Sequence, residues 1–271
     1  MKKLLLIALC IPLGLACSDC IPVFSGGKVV SLSPSVTELV IFLGGTDRLC
    51  GRSSACYFPE VQHLVAVGDM GRPFPEAVVQ SGARLVICDV KHPEANWKIL
   101  QRCRVETEFL DTGNIDSLPD NMRKLGKLLN IDGAEEKAAL AEEKLDHMHR
   151  RSAGEKLTDA VILFGTAPLI SCGKESFITG AMELAGVKNI AADAGSGYFI
   201  LSPEFLHQKD PQLIIIAGVP ENIARHDLGS GLLNSLSAVK NDRIIFVDVN
   251  KWGKLTPDIL DAAENLYRRL H

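Results

Sequence analysis

Glu38, Glu76, Glu175 and His207 are side chains of a type that could pass protons, but no motif around them assembles a catalyst. The chain has no nucleophile elbow, no phosphate-cradling GxGxxG and no zinc-protease HExxH. Seven histidines raise a metal or haem reading, because imidazole is the commonest metal ligand. His147 and His149 lie two apart in a helical stretch and so point to different faces. His63, His92, His207 and His226 fall in loops or helix ends without ligand spacing. A receptor for a bare zinc or manganese ion is not expected, while axial ligation of a haem or corrinoid by His92 stays open. The cysteines offer two pairings close in sequence, Cys50–Cys56 and Cys88–Cys103, or else buried reduced thiols, as the apolar run Leu85–Cys88 suggests. No structural metal is expected.

The elements around these residues carry more information. Lys2 and Lys3, the apolar run Leu4–Leu15 and the small residues Gly14 and Ala16 form an export signal over residues 1–16, too short and proline-broken to span a membrane. Cys17 then stands where a lipobox cysteine would be lipidated, although Gly14-Leu15-Ala16 also fits ordinary signal cleavage. Loss of residues 1–16 leaves 27 Lys+Arg against 33 Asp+Glu, a net charge of −6 that excludes nucleic acid as a partner. Membrane contact is expected only through a lipid on Cys17.

Short apolar runs at Lys28–Leu32, Leu85–Cys88, Val105–Leu110, Ala160–Phe164, Leu213–Ala217 and Ile244–Val249 predict parallel strands covered on both faces. Ser33-Pro34 opens a helix as N-cap and N1, or Ser35 and Glu38 do so as a capping box, and Gly44-Gly45 ends it. Residues 115–151 have helical spacing only, broken near 130–133. The second helix, Ala134–Arg151, would run about 27 Å between two strand-bearing halves. The halves echo each other: Pro75-Glu76 before Leu85-Val86-Ile87 recurs as Pro203-Glu204 before Leu213-Ile214-Ile215, 128 residues on. Leu43-Gly44-Gly45 is likewise echoed at Leu184-Ala185-Gly186. The expected fold is α/β, with two Rossmann-like lobes of parallel sheet on a single long backbone helix. Its divisions are a signal peptide (1–16), a tether (17–27), an N-terminal lobe (28–114), a helical linker (115–157) and a C-terminal lobe (158–271).

Val29–Glu38 followed by Leu43–Gly51 resembles the opening of periplasmic substrate-binding proteins of ABC importers, the helical-backbone family for cobalamin and ferric siderophores. Tyr57-Phe58-Pro59-Glu60, Val67-Gly68-Asp69, Leu169–Phe177, Leu184–Ile190 and Leu201–Glu204 continue the likeness in order. The resemblance implies a monomeric, non-enzymatic receptor without a cofactor, held outside the cytoplasm, that carries a small-molecule chelate to a permease dimer. It also implies that Glu76 and Glu204 dock onto permease arginines, a pairing that charge-assisted hydrogen bonds would favour.

Loops after strand C-termini form the cleft in such folds. That rule and the family positions nominate Tyr57, Phe58, Arg72, Trp97, Phe177, Tyr198, Trp252 and Lys254 for ligand binding, since flat aromatic faces suit a corrin or porphyrin. Thr256-Pro257-Asp258 stands where relatives carry Pro-Arg. Loss of that cation favours a corrinoid over an anionic siderophore, with siderophore and haem as the alternatives. Two rivals belong to other classes: a tetrapyrrole-chelatase-like enzyme, against which the export signal argues, and a lipoprotein whose partner is another protein.

Overall fold

The computed structural model describes residues 27–90 and 95–271; the signal segment, Cys17 and His92 lie outside the described residues. The N-terminal lobe holds β1 (Val29–Ser31), α1 (Pro34–Leu43), β2 (Leu49–Arg52), β3 (Gly68–Asp69), β4 (Arg72–Pro73), α2 (Pro75–Gln80), β5 (Leu85–Cys88), α3 (Ala95–Arg102) and β6 (Glu106–Phe109). β1 pairs in parallel with β2 and β5, and β5 with β6, giving the order β2-β1-β5-β6. β1 and β5 are buried at every position. Helices cover both faces of such a sheet, so its central strands read as unbroken apolar runs. β2, Leu-Cys-Gly-Arg, escapes sequence reading because it is half-buried and has no β-branched residue.

Ser33 is the N-cap of α1, and its hydroxyl accepts the Val36 N–H at 3.2 Å. The Ser35/Glu38 frame is not used. Gly44 closes the helix at φ 96°, a left-handed conformation that glycine adopts without strain.

Two helices follow, α4 (Leu118–Leu129) and α5 (Ala134–Ser152). The chain turns between them through Asn130 at φ 50° and Gly133 at φ 75°. Gly126 allows the two helices to touch, because a Cβ there would lie 2.4 Å from that of Ala134. α5 spans both lobes. Near its start, Lys137 Nζ donates to the carbonyls of Phe42 (2.8 Å) and Leu43 (3.1 Å), satisfying orphan acceptors at the C-terminus of α1.

The C-terminal lobe comprises β7 (Thr158–Leu163), β8 (Gly165–Thr166), β9 (Leu169–Cys172), α6 (Phe177–Leu184), β10 (Val187–Asn189), β11 (Tyr198–Ile200), α7 (Pro203–Lys209), β12 (Leu213–Ala217), α8 (Glu221–Leu228), α9 (Ser237–Lys240), β13 (Ile244–Val247), α10 (Val249–Trp252) and α11 (Pro257–Leu270). Near the end of α5, Arg151 forms an ion pair with Glu264 of α11. The sheet order β10-β7-β12-β13, all parallel, repeats that of the first lobe strand for strand. The 128-residue echo thus matches α2–β5 to α7–β12, and Gly186 at φ 79° follows α6 much as Gly44 follows α1. One difference stands out: the second lobe adds an antiparallel sheet, β11-β9-β8, where the first has only the short β3–β4 ladder.

Of the two alternatives the structure has reduced thiols: Cys50, Cys56, Cys88, Cys103 and Cys172 are free. Cys56 faces Thr37 Oγ1 at 3.1 Å and Cys88 donates to the Val90 carbonyl at 3.3 Å, both inside the lobe, whereas Cys103 is exposed. Burial pushes the Cys88 thiol up to about 12 and Cys172 up to about 11, so both stay protonated and unreactive.

One apolar core runs from Val29, Leu39 and Leu85 through Leu125, Leu145 and Met148 to Ile162 and Leu260, joining the lobes through α4 and α5, and a further core fills the other side of each lobe's sheet. The two tryptophans, Trp97 and Trp252, report one lobe each. Trp252→Phe and Trp97→Phe variants should therefore show coincident urea midpoints by fluorescence. Met148→Ala should lower stability by about 2–4 kcal/mol as read by either tryptophan. Two separated midpoints would mean that the lobes unfold independently.

Candidate functional site

The C-terminal ends of β1 and β2 and the start of α1 carry a linked set of polar groups. Thr37 Oγ1 donates to Ser31 Oγ at 2.8 Å and lies against Cys56, tying the loop after β2 back to α1. Arg52 then donates to the carbonyls of Ser53 and Cys56, both at 3.1 Å, and Gln62 Nε2 donates to Cys56 at 3.0 Å. These bonds fix the loop that presents Tyr57, whose side chain is 79% exposed. An aromatic ring on a fixed loop has few rotatable bonds to lose when a flat ligand covers it.

In the second lobe, β9 and β11 pair so that Tyr198 lies opposite Cys172. Tyr198 packs edge-on against Phe164, with centroids 5.1 Å apart, yet keeps 52% of its surface open. Burial, the Cys172 thiol and the Asp89 carboxyl raise its pKa in that order. The loop before it is locked in place: Gly173 N–H donates to Gly197 at 2.9 Å, Lys174 N–H to Ala192 at 2.8 Å, and Ser196 bonds Glu175. Gly173 is obligatory here, since a Cβ would fall 1.8 Å from the Gly195 carbonyl oxygen.

Among the described residues, polar contacts as well as the shared core join the lobes. Phe177 N–H donates to Thr112 at 3.4 Å, and Leu255 N–H donates to Ser35 Oγ at 3.3 Å. Lys254 Nζ lies 2.6 Å from Glu38 Oε2 and 4.7 Å from the centroid of the Phe58 ring. Burial pushes the Glu38 carboxyl above the ordinary Glu range; Lys254 pulls it down, and Asp258 and Glu60 push it up again.

Sequence reasoning passed over Asp89, at the end of β5. Burial raises the pKa of its carboxyl, and the hydroxyls of Ser33 and Ser35 oppose that rise. The signal was present, because Asp89 directly follows the C-terminus of a central strand.

The nominated residues separate into three groups. Tyr57, Tyr198 and Arg72 are exposed and Phe58 is half-buried, so all four can reach a ligand. Trp97, at 7% exposure, instead packs edge-on against Phe109 with centroids 5.0 Å apart. Phe177 (7%) and Trp252 (1%) sit in the shared core. Lys254 is committed to Glu38. Sequence periodicity identifies an aromatic but not the side of the backbone that it takes, and in these three cases packing claimed it. Glu76 and Glu204 each occupy the second position of their helix, exposed, and neither forms an ion pair among the described residues. No group of three or more His, Cys, Asp or Glu side chains that could hold a metal ion occurs among the described residues. No described helix is long and apolar enough to cross a membrane.

A sequence profile of the family described as "Periplasmic binding protein" matches residues 29–250. The chain is 24% identical over 249 residues to the vitamin B12-binding protein of Salmonella choleraesuis (strain SC-B67), covering 91% of each. It is 25% identical over 202 residues to that of Pectobacterium carotovorum subsp. carotovorum (strain PC1), covering 73% of each. Among solved structures, the periplasmic vitamin B12-binding protein of Vibrio cholerae superposes with a TM-score of 0.77 at 23% identity, over 90% of this chain and 97% of the other. The periplasmic haem-binding protein of Roseiflexus sp. RS-1 superposes at 0.75 and 22%, over 91% and 100%. These likenesses establish the two-lobed fold.

The Glu38–Lys254 pair gives a pH-dependent expectation. A carboxyl raised in the folded state binds its proton more tightly there than in the unfolded chain. Its contribution to stability therefore falls as pH rises from its unfolded value through its folded one. Lys254→Met removes the opposing cation and should widen that loss, costing about 1–3 kcal/mol at pH 7.5 and less at pH 5. Thermal melts at the two pH values test this; equal losses at both would show that the ion pair is not what holds the seam.

Proposed function

The chain belongs to the periplasmic binding protein family, and from that membership we propose that it captures a flat metal chelate, a corrinoid such as cobalamin, outside the cytoplasm and delivers it to the permease of an ABC importer. The observation that carries the delivery role is the repeated helix–strand unit. It gives each lobe a free carboxylate, Glu76 or Glu204, at the equivalent place. Two like carboxylates presented by matching lobes suit a two-fold partner bearing arginines, with which each can form a bidentate pair.

The ligand claim draws on the two open tyrosines, Tyr57 and Tyr198, and on the vitamin B12-binding relatives. The loop that presents Tyr57 and the loop before Tyr198 are held by bonds formed before any ligand arrives, so binding does not have to order either loop. Arg72 and the half-buried Phe58 complete the proposed surface, whereas Trp97, Phe177 and Trp252 are buried and Lys254 is paired with Glu38. The shared core also favours a receptor with little lobe closure, because α5 cannot bend without opening contacts in both lobes. Cys17, if lipidated, would tether the receptor to the outer face of the membrane.

Titration calorimetry of the mature protein against cobalamin, cobinamide, haem and a siderophore panel should give its tightest binding with the corrinoids. No binding across the panel would sink the ligand claim. Tyr57→Ala and Tyr198→Ala should each weaken corrinoid binding about tenfold, or about 1.4 kcal/mol. For docking, Glu76→Ala combined with Glu204→Ala should leave ligand affinity within about twofold and abolish stimulation of the cognate transporter's ATPase. Unchanged stimulation would refute the docking role.

A further inference from the structure

The helix–strand unit repeats between the lobes, but the side chains that it turns outward do not. Phe74 and Ser202 hold the N-cap positions of α2 and α7. Ser202 Oγ accepts the Phe205 N–H at 3.1 Å, whereas Phe74 has no side-chain cap to offer. A residue of the serine type is the ordinary choice at that position, and an aromatic there gives up a helix-starting bond. The ring does not compensate by packing inward, since it is 52% exposed and joins none of the apolar cores. Its backbone is nevertheless fixed: the Phe74 N–H donates to Val67 at 2.9 Å and its carbonyl accepts from Val78 at 3.0 Å. Glu76 and Val79 lie three apart on α2 and so share a face, on which Val79 is 46% exposed and Glu76 forms no ion pair among the described residues. In α7 the residue matching Val79 is His207, whose Nδ1 lies 2.9 Å from Ser235 Oγ. The exposed Ile200 of the second lobe shares the face of β11 that carries Tyr198 and belongs to neither helix.

We propose that docking is anchored by the first lobe: Phe74 and Val79 enter an apolar pocket of one permease subunit and enclose the pair between Glu76 and its arginine, while Glu204 makes a solvated pairing with the other subunit. This rests on the reading that Glu76 and Glu204 dock onto permease arginines. A free carboxylate between two exposed apolar side chains calls for a partner surface with a cation rimmed by apolar groups. A two-fold contact with a second copy of this chain would instead bring two Glu76 carboxylates together. Apolar neighbours that exclude water strengthen a charged contact at the centre of an interface, whereas one left in water on the rim contributes little. Phe74 and Val79 are such neighbours. Ser202 and His207 at the matching places are polar, and each is already bonded within its own lobe. A two-fold permease offers the same site twice, so the anchor can seat on either subunit.

The mature receptor is titrated against the cognate importer in nanodiscs, with binding read by interferometry and delivery by ATPase stimulation. Phe74→Ser gives α2 the cap that α7 already has, so the fold should be kept. It should weaken importer binding at least about tenfold and leave cobinamide affinity within about twofold. Glu76→Ala should lose at least about fivefold more importer affinity than Glu204→Ala, while Ser202→Ala and His207→Ala should each change it by less than about twofold. Equal losses from the two glutamate variants, or native importer binding by a folded Phe74→Ser, would overturn the anchor while leaving carboxylate docking standing. Phe74→Ser that weakened cobinamide binding alone would assign the ring to the ligand surface and overturn it too. So would a receptor dimer in sedimentation that Phe74→Ser dissolves without changing importer binding. Should Phe74→Ser fail to fold, Val79→Ser and the ratio of the two glutamate variants decide in the same way. Importer binding untouched by Glu76→Ala combined with Glu204→Ala would overturn the docking reading and the anchor with it.

Discussion

The continuity of one apolar core through α5 is the constraint on which the rest of the molecule depends. Ala138, Ala141, Leu145 and Met148 form the buried face of that helix, and each end of it is tied to a different lobe: Lys137 to the carbonyls that end α1, Arg151 to Glu264 on α11. A helix of 19 residues with polar ties at both ends resists bending. The side chains on its inner face cannot follow one lobe without losing contact with the other. The relative position of the lobes, and with it the separation of Tyr57 from Tyr198 and of Glu76 from Glu204, is therefore a property of packing and does not depend on a hinge.

The lobes are built alike but finished differently. Their parallel sheets share one strand order, and each sheet offers its C-terminal edge to the junction. On the first side that edge is finished with hydroxyls and an acid, Ser31, Ser33, Ser35, Thr37 and Asp89. On the second it is finished with the antiparallel β11-β9-β8 sheet and the locked glycine loop that sets Tyr198. At the seam, the Glu38–Lys254 pair uses up a cation that the sequence had offered to the ligand.

Much of this was legible in the residues. Ser33-Pro34 announced α1 and Gly44 its end, because an N-cap hydroxyl, a proline at N1 and a left-handed glycine each answer a local backbone requirement. The buried runs Leu85–Cys88 and Leu213–Ala217 were readable to the residue, since a strand covered on both faces leaves no alternation to misread. What escaped depends on distant partners. β2 and β10 are short edge strands, recruited by β1 and β7 and lacking a strong preference of their own. Trp97, Phe177 and Trp252 looked like cleft aromatics until neighbours from other elements enclosed them. Lys254 could be assigned to Glu38 only once the two lobes were brought together.

The unequal finish of the two edges carries a directional consequence. On the proposed reading, the outer face that meets a permease has near two-fold symmetry, while the cleft does not, because a hydroxyl-and-acid wall cannot be exchanged for an aromatic one. A cargo with two chemically distinct sides would then seat in one sense only. Docking in either of two equivalent orientations would still present that cargo to the translocation pathway with the same side leading. The receptor thereby fixes the handedness of handover while leaving the choice of docking partner degenerate.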